Sequence, residues 1–342
     1  VLKGYIIAGL ILISILGCTN PMEEPKAPFP EIPAHLPPMP FPVDNPITPE
    51  KVELGRHLFY EKRLSVNGTI ACASCHAQEN AFTDSPKQVS SGVNGSQGQR
   101  NAPTVVNAGY RKEMFWDGRA GSLEDQAMAA FLNSTEMAAD TFEVHKLLAS
   151  AEYRVMWKRA FPDMIVTMHR AMQAIGSFER TIVSGNSRYD QYLSGQFNAL
   201  SEQERNGMQL FFSNKAMCGA CHGGPDLTDD LFHSVGLFHH YFDRGRYEVT
   251  RNPGDEGRFK TPTLRNVALT APYMATGDNE KQLLLDLESV VEHYDEGGTP
   301  FSNKDKRVKK LNLTKEEKAS LVAFMKTLTD SSLILNPKFG PP

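Results

Sequence analysis

Cys72-Ala-Ser-Cys75-His76 and Cys218-Gly-Ala-Cys221-His222 are the two stretches that decide the fold of this 342-residue chain. Cys-x-x-Cys-His reads as covalent c-type haem attachment: two thioethers fix the porphyrin edge and the adjacent histidine ligates the iron. A redox dithiol or half of a zinc site are the competing readings of one copy. Two copies, each ending in histidine and with no other cysteine after Cys18, leave those readings little room.

The motifs stand 146 residues apart and their surroundings repeat. Upstream, Gly55-Arg-His-Leu-Phe59 and Gly207-Met-Gln-Leu-Phe211 share the pattern Gly-x-x-Leu-Phe. Downstream, Ala102-Pro-Thr-Val-Val-Asn107 is echoed by Thr261-Pro-Thr-Leu-Arg-Asn266. An internal repeat of this kind implies two related units, each holding one haem. The expected class is mostly α: two cytochrome c-like haem domains, over 48–195 and 196–342. Thr48-Pro49, Ser201-x-x-Glu204 and Thr314-x-x-Glu317 are helix starts, the last two as capping boxes. Met168, Met172, Ile175, Phe178 and Ile182 recur at helical spacing. No long alternating pattern predicts a strand, and Ser90–Gly98 and Asn252–Gly257 read as loops.

The N-terminus bears on location. Lys3 precedes an apolar run, Tyr5 to Leu16, too short for a comfortable membrane span. It reads as a signal peptide over 1–17. Ile15-Leu-Gly-Cys18 resembles a bacterial lipobox, which makes Cys18 the lipidated first residue of a membrane-anchored lipoprotein on the periplasmic or cell-envelope side. An ordinary signal peptide or a short anchor helix is the alternative. Of the 22 prolines, 11 fall between Pro21 and Pro49, so 18–47 is expected to be an extended tether. A net charge of -4 gives no general attraction to nucleic acid.

With both haem motifs in order, the chain from about Thr48 to Asp330 resembles the bacterial di-haem cytochrome c peroxidases and their MauG-type relatives. The resemblance is carried by Arg100-Asn-Ala-Pro-Thr104, Phe115-Trp-Asp-Gly-Arg119, Thr135-Glu-Met137, Phe178-Glu-Arg-Thr181, Thr261-Pro-Thr-Leu-Arg-Asn-Val267 and Leu269-Thr-Ala-Pro-Tyr273. It implies that the first haem (Cys72, Cys75, His76) meets peroxide and the second (Cys218, Cys221, His222) handles electrons. Trp116 matches an aromatic residue lying between the haems, although a core tryptophan would look the same. Glu136 matches a distal carboxylate that moves a proton between the peroxide oxygens. Gln126 matches a distal glutamine. Without the resemblance, Glu136 reads as a solvated glutamate at a helix end. Asn101, with backbone oxygens of Thr270 and Pro272, matches a calcium site, or else consists of ordinary turn residues.

Two departures from the peroxidase pattern matter. Many members cap the first iron with a histidine, yet none occurs here between His76 and His145. The capping position falls near Val93, and Met114, Met128 and Met137 are the nearby sulfur donors. The first haem is therefore expected to be open at rest. Members commonly place methionine on the second iron, and in Leu287-Glu-Ser-Val-Val-Glu-His-Tyr294 a tyrosine stands there, as in MauG-type enzymes. Met274 and His293 are rivals to Tyr294. Ala130 and Ala275 replace a proline and a histidine common among relatives.

The expected function is a peroxidase that reduces hydrogen peroxide with electrons from a small cytochrome c or cupredoxin. The alternatives are a MauG-like enzyme that uses peroxide to oxidise a residue on a partner protein, and a non-enzymatic di-haem electron carrier. The cofactors expected are two covalently bound haem c groups, with Ca2+. Beyond the donor or protein substrate, the partners expected are a membrane reached through the lipid anchor and a second copy in a homodimer, but no nucleic acid.

Overall fold

Thr48 caps the first helix through its side chain, which accepts from the Lys51 amide, and Pro49 occupies the first turn, where a missing N–H costs nothing. The computed structural model describes residues 29–274 and 284–342. The signal peptide, Cys18 and Ala275 lie outside the described residues.

The helices are α1 (Pro49–Tyr60), α2 (Leu123–Leu132), α3 (Thr141–Leu148), α4 (Ala151–Ala160), α5 (Met168–Glu179), α6 (Arg188–Leu193), α7 (Glu202–Phe211), α8 (Tyr247–Thr250), α9 (Leu287–Glu296), α10 (Lys315–Lys326) and α11 (Ser331–Ile334). Ser201 and Thr314 cap α7 and α10 with Glu204 and Glu317 as the return partners, as the capping boxes predict. The strands among the described residues are β1 (Phe232–His233) and β2 (Phe259–Lys260), paired antiparallel. The fold is mostly helical.

The Gly-x-x-Leu-Phe pattern has a physical reason, and it operates twice. A Cβ on Gly55 of α1 would lie 1.9 Å from the Ala174 carbonyl oxygen of α5, and one on Gly207 of α7 would lie 1.9 Å from the Ser320 carbonyl oxygen of α10. Only glycine allows the two backbones to meet so closely. One turn later, Phe59 meets Phe178 edge-on at 5.3 Å and Phe211 meets Phe324 at the same 5.3 Å. Asn107 and Asn266, which end the two downstream motifs, both take left-handed backbone, with φ of +57° and +62°. Asparagine tolerates that region better than branched residues do.

Two large apolar cores result, beside a smaller cluster of Leu237, Phe238, Tyr241 and Leu284. One gathers Leu54, Phe59, Phe131, Trp157 and Phe178. The other gathers Tyr189, Phe211, Val291 and Phe324. The division does not follow residue 195: Tyr189 of α6 already belongs to the second core, whereas Leu333 and Phe339 return to the first.

The proline-rich stretch differs from the expected tether. Between residues 29 and 47 it is packed on the body, with Leu36, Met39 and Asn45 buried. Asn45 Nδ2 donates to Glu124 Oε1 at 2.7 Å and to the Gln173 carbonyl at 2.9 Å. The Tyr110 hydroxyl donates to the Pro37 carbonyl, and His35 Nε2 lies 3.1 Å from Asp190 Oδ1. Its stiffness makes it a strap here rather than a spacer.

Candidate functional site

Each Cys-x-x-Cys-His stretch is a tight turn: the His76 amide donates to the Cys72 carbonyl at 2.9 Å, and the His222 amide to the Cys218 carbonyl at 2.8 Å. The imidazoles are oriented alike. His76 Nδ1 donates to the Phe82 carbonyl at 3.0 Å and His222 Nδ1 to the Leu227 carbonyl at 3.2 Å. With Nδ1 protonated, Nε2 keeps the lone pair, and a backbone partner of this kind fixes a ligating histidine. Burial lowers the pKa of both rings, favouring the neutral form that can ligate. The four thiols are unpaired as disulfides. Burial pushes Cys75 and Cys221 up to about 11 and Cys218 up to about 12, and Cys72 higher still.

Each turn opens on a cavity. The first, about 820 Å³, is lined by Cys72, Cys75, His76, Gln126 and Glu136 among others. The second, about 280 Å³, is lined by Cys218, Cys221, His222, Met274 and Tyr294 among others. Such cysteine pairs, each with an oriented histidine at a cavity, fit covalent haem.

The walls bring together most residues singled out from the sequence. Glu136 follows α2 and accepts from Asn133 Nδ2 at 2.8 Å. Burial raises its pKa, against the smaller opposing effects of Asn133 and Arg119. Gln126 and Ala130 of α2 line the same cavity, as do Met114 and Met137, whereas Met128 packs against the core. Val93 is buried, its amide donating to the Glu136 carbonyl. His76 is the only histidine lining this cavity among the described residues.

In the second cavity Tyr294 of α9 faces the attachment residues, and burial holds its phenol well above the ordinary value. His293 points elsewhere: its Nε2 donates to the Val235 carbonyl at 3.1 Å. Met274 stays in the lining as the rival to Tyr294. Asn101, Thr270 and Pro272 are gathered on this wall, but the Asn101 amide presents Nδ2 to the Pro272 carbonyl at 3.5 Å. A calcium site there requires the amide turned over, so that oxygen faces the ion.

Trp116 lines both cavities. Its Nε1 donates to the Asn101 carbonyl at 3.0 Å, and its own carbonyl accepts from the Lys260 amide at 2.8 Å. Three neighbouring groups escaped the sequence reading. Arg100, in the shared wall, bridges Asp117 and Asp243 at 2.6 Å each, tying the two halves together. Lys260 lines both cavities, and burial lowers its pKa to about 8. Glu179 lines the first cavity, and burial raises its pKa to about 8. Arg100 and Glu179 lie inside quoted motifs, but nothing local marks Lys260.

Residues 49–198 match the family of di-haem cytochrome c peroxidases. Over 97% of its length the chain is 34% identical to the cytochrome-c peroxidase IdrP1 of Pseudomonas sp. (strain SCT), covering 93% of that protein. The chain belongs to the di-haem cytochrome c peroxidase and MauG family. It is also 34% identical to the methylamine utilization protein MauG of Methylophilus methylotrophus, over 89% of each chain. The crystal structure of a MauG-like protein associated with microbial copper homeostasis superposes with a TM-score of 0.85 at 39% identity, covering 91% of this chain and 98% of that one. Members of the family are oxidoreductases with two haem c groups, and this chain is one of them. No helix among the described residues is long and apolar enough to cross a membrane.

Proposed function

We propose that the protein reduces hydrogen peroxide to water with electrons from a small donor protein, in two related haem units joined at the wall that holds Trp116. The single observation that carries this is the first cavity, where Gln126 and a half-buried Glu136 share a wall with His76 and, among the described residues, no second histidine lines the space. Cys72, Cys75 and His76 would hold one haem, and Cys218, Cys221 and His222 the other, with Tyr294 completing the second iron's ligands. The haems supply the peroxide-activating iron and the storage of electrons.

The chain's own residues handle position and protons. Gln126 orients the bound peroxide, and Glu136 takes a proton from one oxygen and returns it to the other, so that water can leave. Its raised pKa suits a group that must both accept and give a proton. The balance is H2O2 plus two protons and two electrons giving two waters. Trp116, packed between the cavities, shortens the path between them. Asn101, Thr270 and Pro272 would take calcium with the Asn101 amide turned. The signal sequence supports work outside the cytoplasm.

A second reading rests on Tyr294. A phenolate favours oxidised iron, which suits peroxide-driven oxidation of a residue on a partner protein, the MauG-like alternative. The test is the stoichiometry of the mature two-haem protein with a reduced donor. Two one-electron donors oxidised per peroxide consumed support the peroxidase. Peroxide consumption without donor oxidation, accompanied by oxidation of an added protein, supports the second reading.

A further inference from the structure

The internal repeat supplies a control for the lining of the first cavity. Gly55 meets Ala174 and Gly207 meets Ser320, while Phe59 meets Phe178 and Phe211 meets Phe324, so α5 and α10 correspond residue by residue. Ile175 and its counterpart Leu321 are both apolar, and each lines its own cavity. One turn on, the match fails. Met325 lines the second cavity and packs in the second core, but the corresponding residue of the first unit is Glu179.

Glu179 is 4% exposed, and its Oε2 is buried with no hydrogen-bond partner among the described residues. The neighbouring cation is committed elsewhere. Arg180 Nη1 and Nη2 donate to Glu124 at 2.7 and 3.0 Å, and Asn45 of the strap holds the same carboxylate. Burial outweighs the charges of Arg180 and Glu124 that face Glu179, so its carboxyl keeps a proton at neutral pH. The Cys72 thiol feels the charge of both Glu179 and Glu136, which places both carboxyls toward the first attachment turn. Packing does not call for an acid here. Methionine fills the same place in the second unit, and an apolar side chain avoids the cost of burying an unpartnered polar group.

Peroxide reduction consumes two protons, and Glu136 supplies neither, because it returns to one oxygen what it took from the other. We infer that Glu179 is the proton reserve of the first cavity: it releases one of those two protons toward the second oxygen of peroxide and regains it from solvent before the next turnover. The inference rests on the peroxidase reading above and adds the source of a proton. In the step itself the Glu179 O–H bond breaks, an O–H bond of product water forms, and the donor protein's two electrons reduce the O–O bond. The cavity of about 820 Å³ has Gln126, Asn133 and Arg119 in its lining, which gives room and polar partners for the water that would carry the proton. Glu179 acts through that water and is a positioning residue for the proton.

The test uses the mature two-haem protein, loaded with two electrons and mixed with one equivalent of peroxide at neutral pH in weak buffer. Stopped flow follows peroxide loss, and an indicator dye follows proton uptake from the medium. In the wild type, uptake of one proton should lag behind peroxide loss. Glu179→Gln keeps the shape of the side chain, and Glu179→Met matches the second unit. With both haems attached, each should slow peroxide loss by about a hundredfold, the low end of the effect of a positioned proton donor, and abolish the lag. Time-resolved infrared spectra should show a protonated-carboxyl C=O band lost and regained in the wild type and missing in Glu179→Met. Proton uptake in step with peroxide loss in the wild type, or an unchanged rate and lag in both variants, overturns the reserve and leaves the peroxidase reading standing. Peroxide loss without donor oxidation, with the infrared band still cycling in the wild type and missing in Glu179→Met, overturns the peroxidase reading and leaves the reserve standing.

Discussion

Glu136 and Glu179 both line the first cavity, both are held above the ordinary carboxylate pKa by burial, and they predict different things. Glu136 must be ionised to take a proton from peroxide. Its raised pKa moves the acid side of the activity profile to higher pH than an exposed glutamate would give: turnover rises with pH through that pKa and is lost below it. Glu136→Gln should lower peroxide turnover by roughly two to four orders of magnitude, the usual worth of a positioned acid–base group, and erase that limb. Retention of the limb in the variant, with both haems attached, assigns it to another group. Glu179 bears on stability. Burial lifts its pKa from the ordinary 4.5 to about 8, so between those values the unfolded chain has released a proton that the folded one still holds. Stability therefore falls as pH rises through that window and is not penalised below it. Glu179→Gln should melt higher than wild type near pH 8, with the difference closing toward pH 4.5. Parallel melting curves across that range would show that the carboxyl is not buried in solution. The cysteines and histidines of this site were legible because their spacing is local. The burial of Glu179 and Lys260 was not, because it is created by elements far away in sequence.

At the scale of elements, what was legible is what repeats. Thr48, Ser201 and Thr314 mark helix starts through side chains that reach only a few residues ahead, so sequence alone exposes them. Gly55 and Gly207 were visible as a pattern, but their purpose needed the partner helices. Gly55→Ala should force α1 away from α5, and Gly207→Ala should force α7 away from α10, each at about 1–3 kcal/mol or more for an overpacked contact. The expected outcome is selective. Haem masses on proteolytic peptides should show impaired attachment at residues 72–76 in the first variant and at 218–222 in the second. Equal loss at both sites in either variant would mean that the two halves do not mature separately. The strap illustrates the opposite limit. Eleven prolines report stiffness, but no local signal reports that Leu36 and Met39 find apolar neighbours or that Asn45 meets Glu124.

For the whole molecule, the question is how two irons 146 residues apart in their attachment motifs would share one task. The halves are locked together by Arg100 with Asp243, Arg246 with Glu113, and the Lys260 amide on the Trp116 carbonyl. Trp116 is thereby fixed in the wall common to both cavities. Ligand supply on the two sides is unequal. The first cavity offers His76 and no other histidine among the described residues, and Val93, near the position that the sequence resemblance assigns to the cap, is buried. The second offers His222, His233 and Tyr294, with His233 held between Asp229 and Asp305 and His293 turned to Val235. The oxidised protein should therefore show one high-spin iron and react with peroxide before any reduction. The second iron should be low-spin, with a potential well below that of a His/Met haem, because a phenolate favours oxidised iron. Tyr294→Met should raise that potential and weaken the storage of an oxidising equivalent while leaving the first iron open. Electron paramagnetic resonance with redox titration reads all of this. Two low-spin signals, with peroxide reactivity appearing only after one-electron reduction, would show that the first iron is capped. Met114 and Met137, the sulfur donors in that cavity, would then be the side chains to replace with leucine. An unchanged second potential in Tyr294→Met would instead pass the ligand role to Met274, which also lines that cavity.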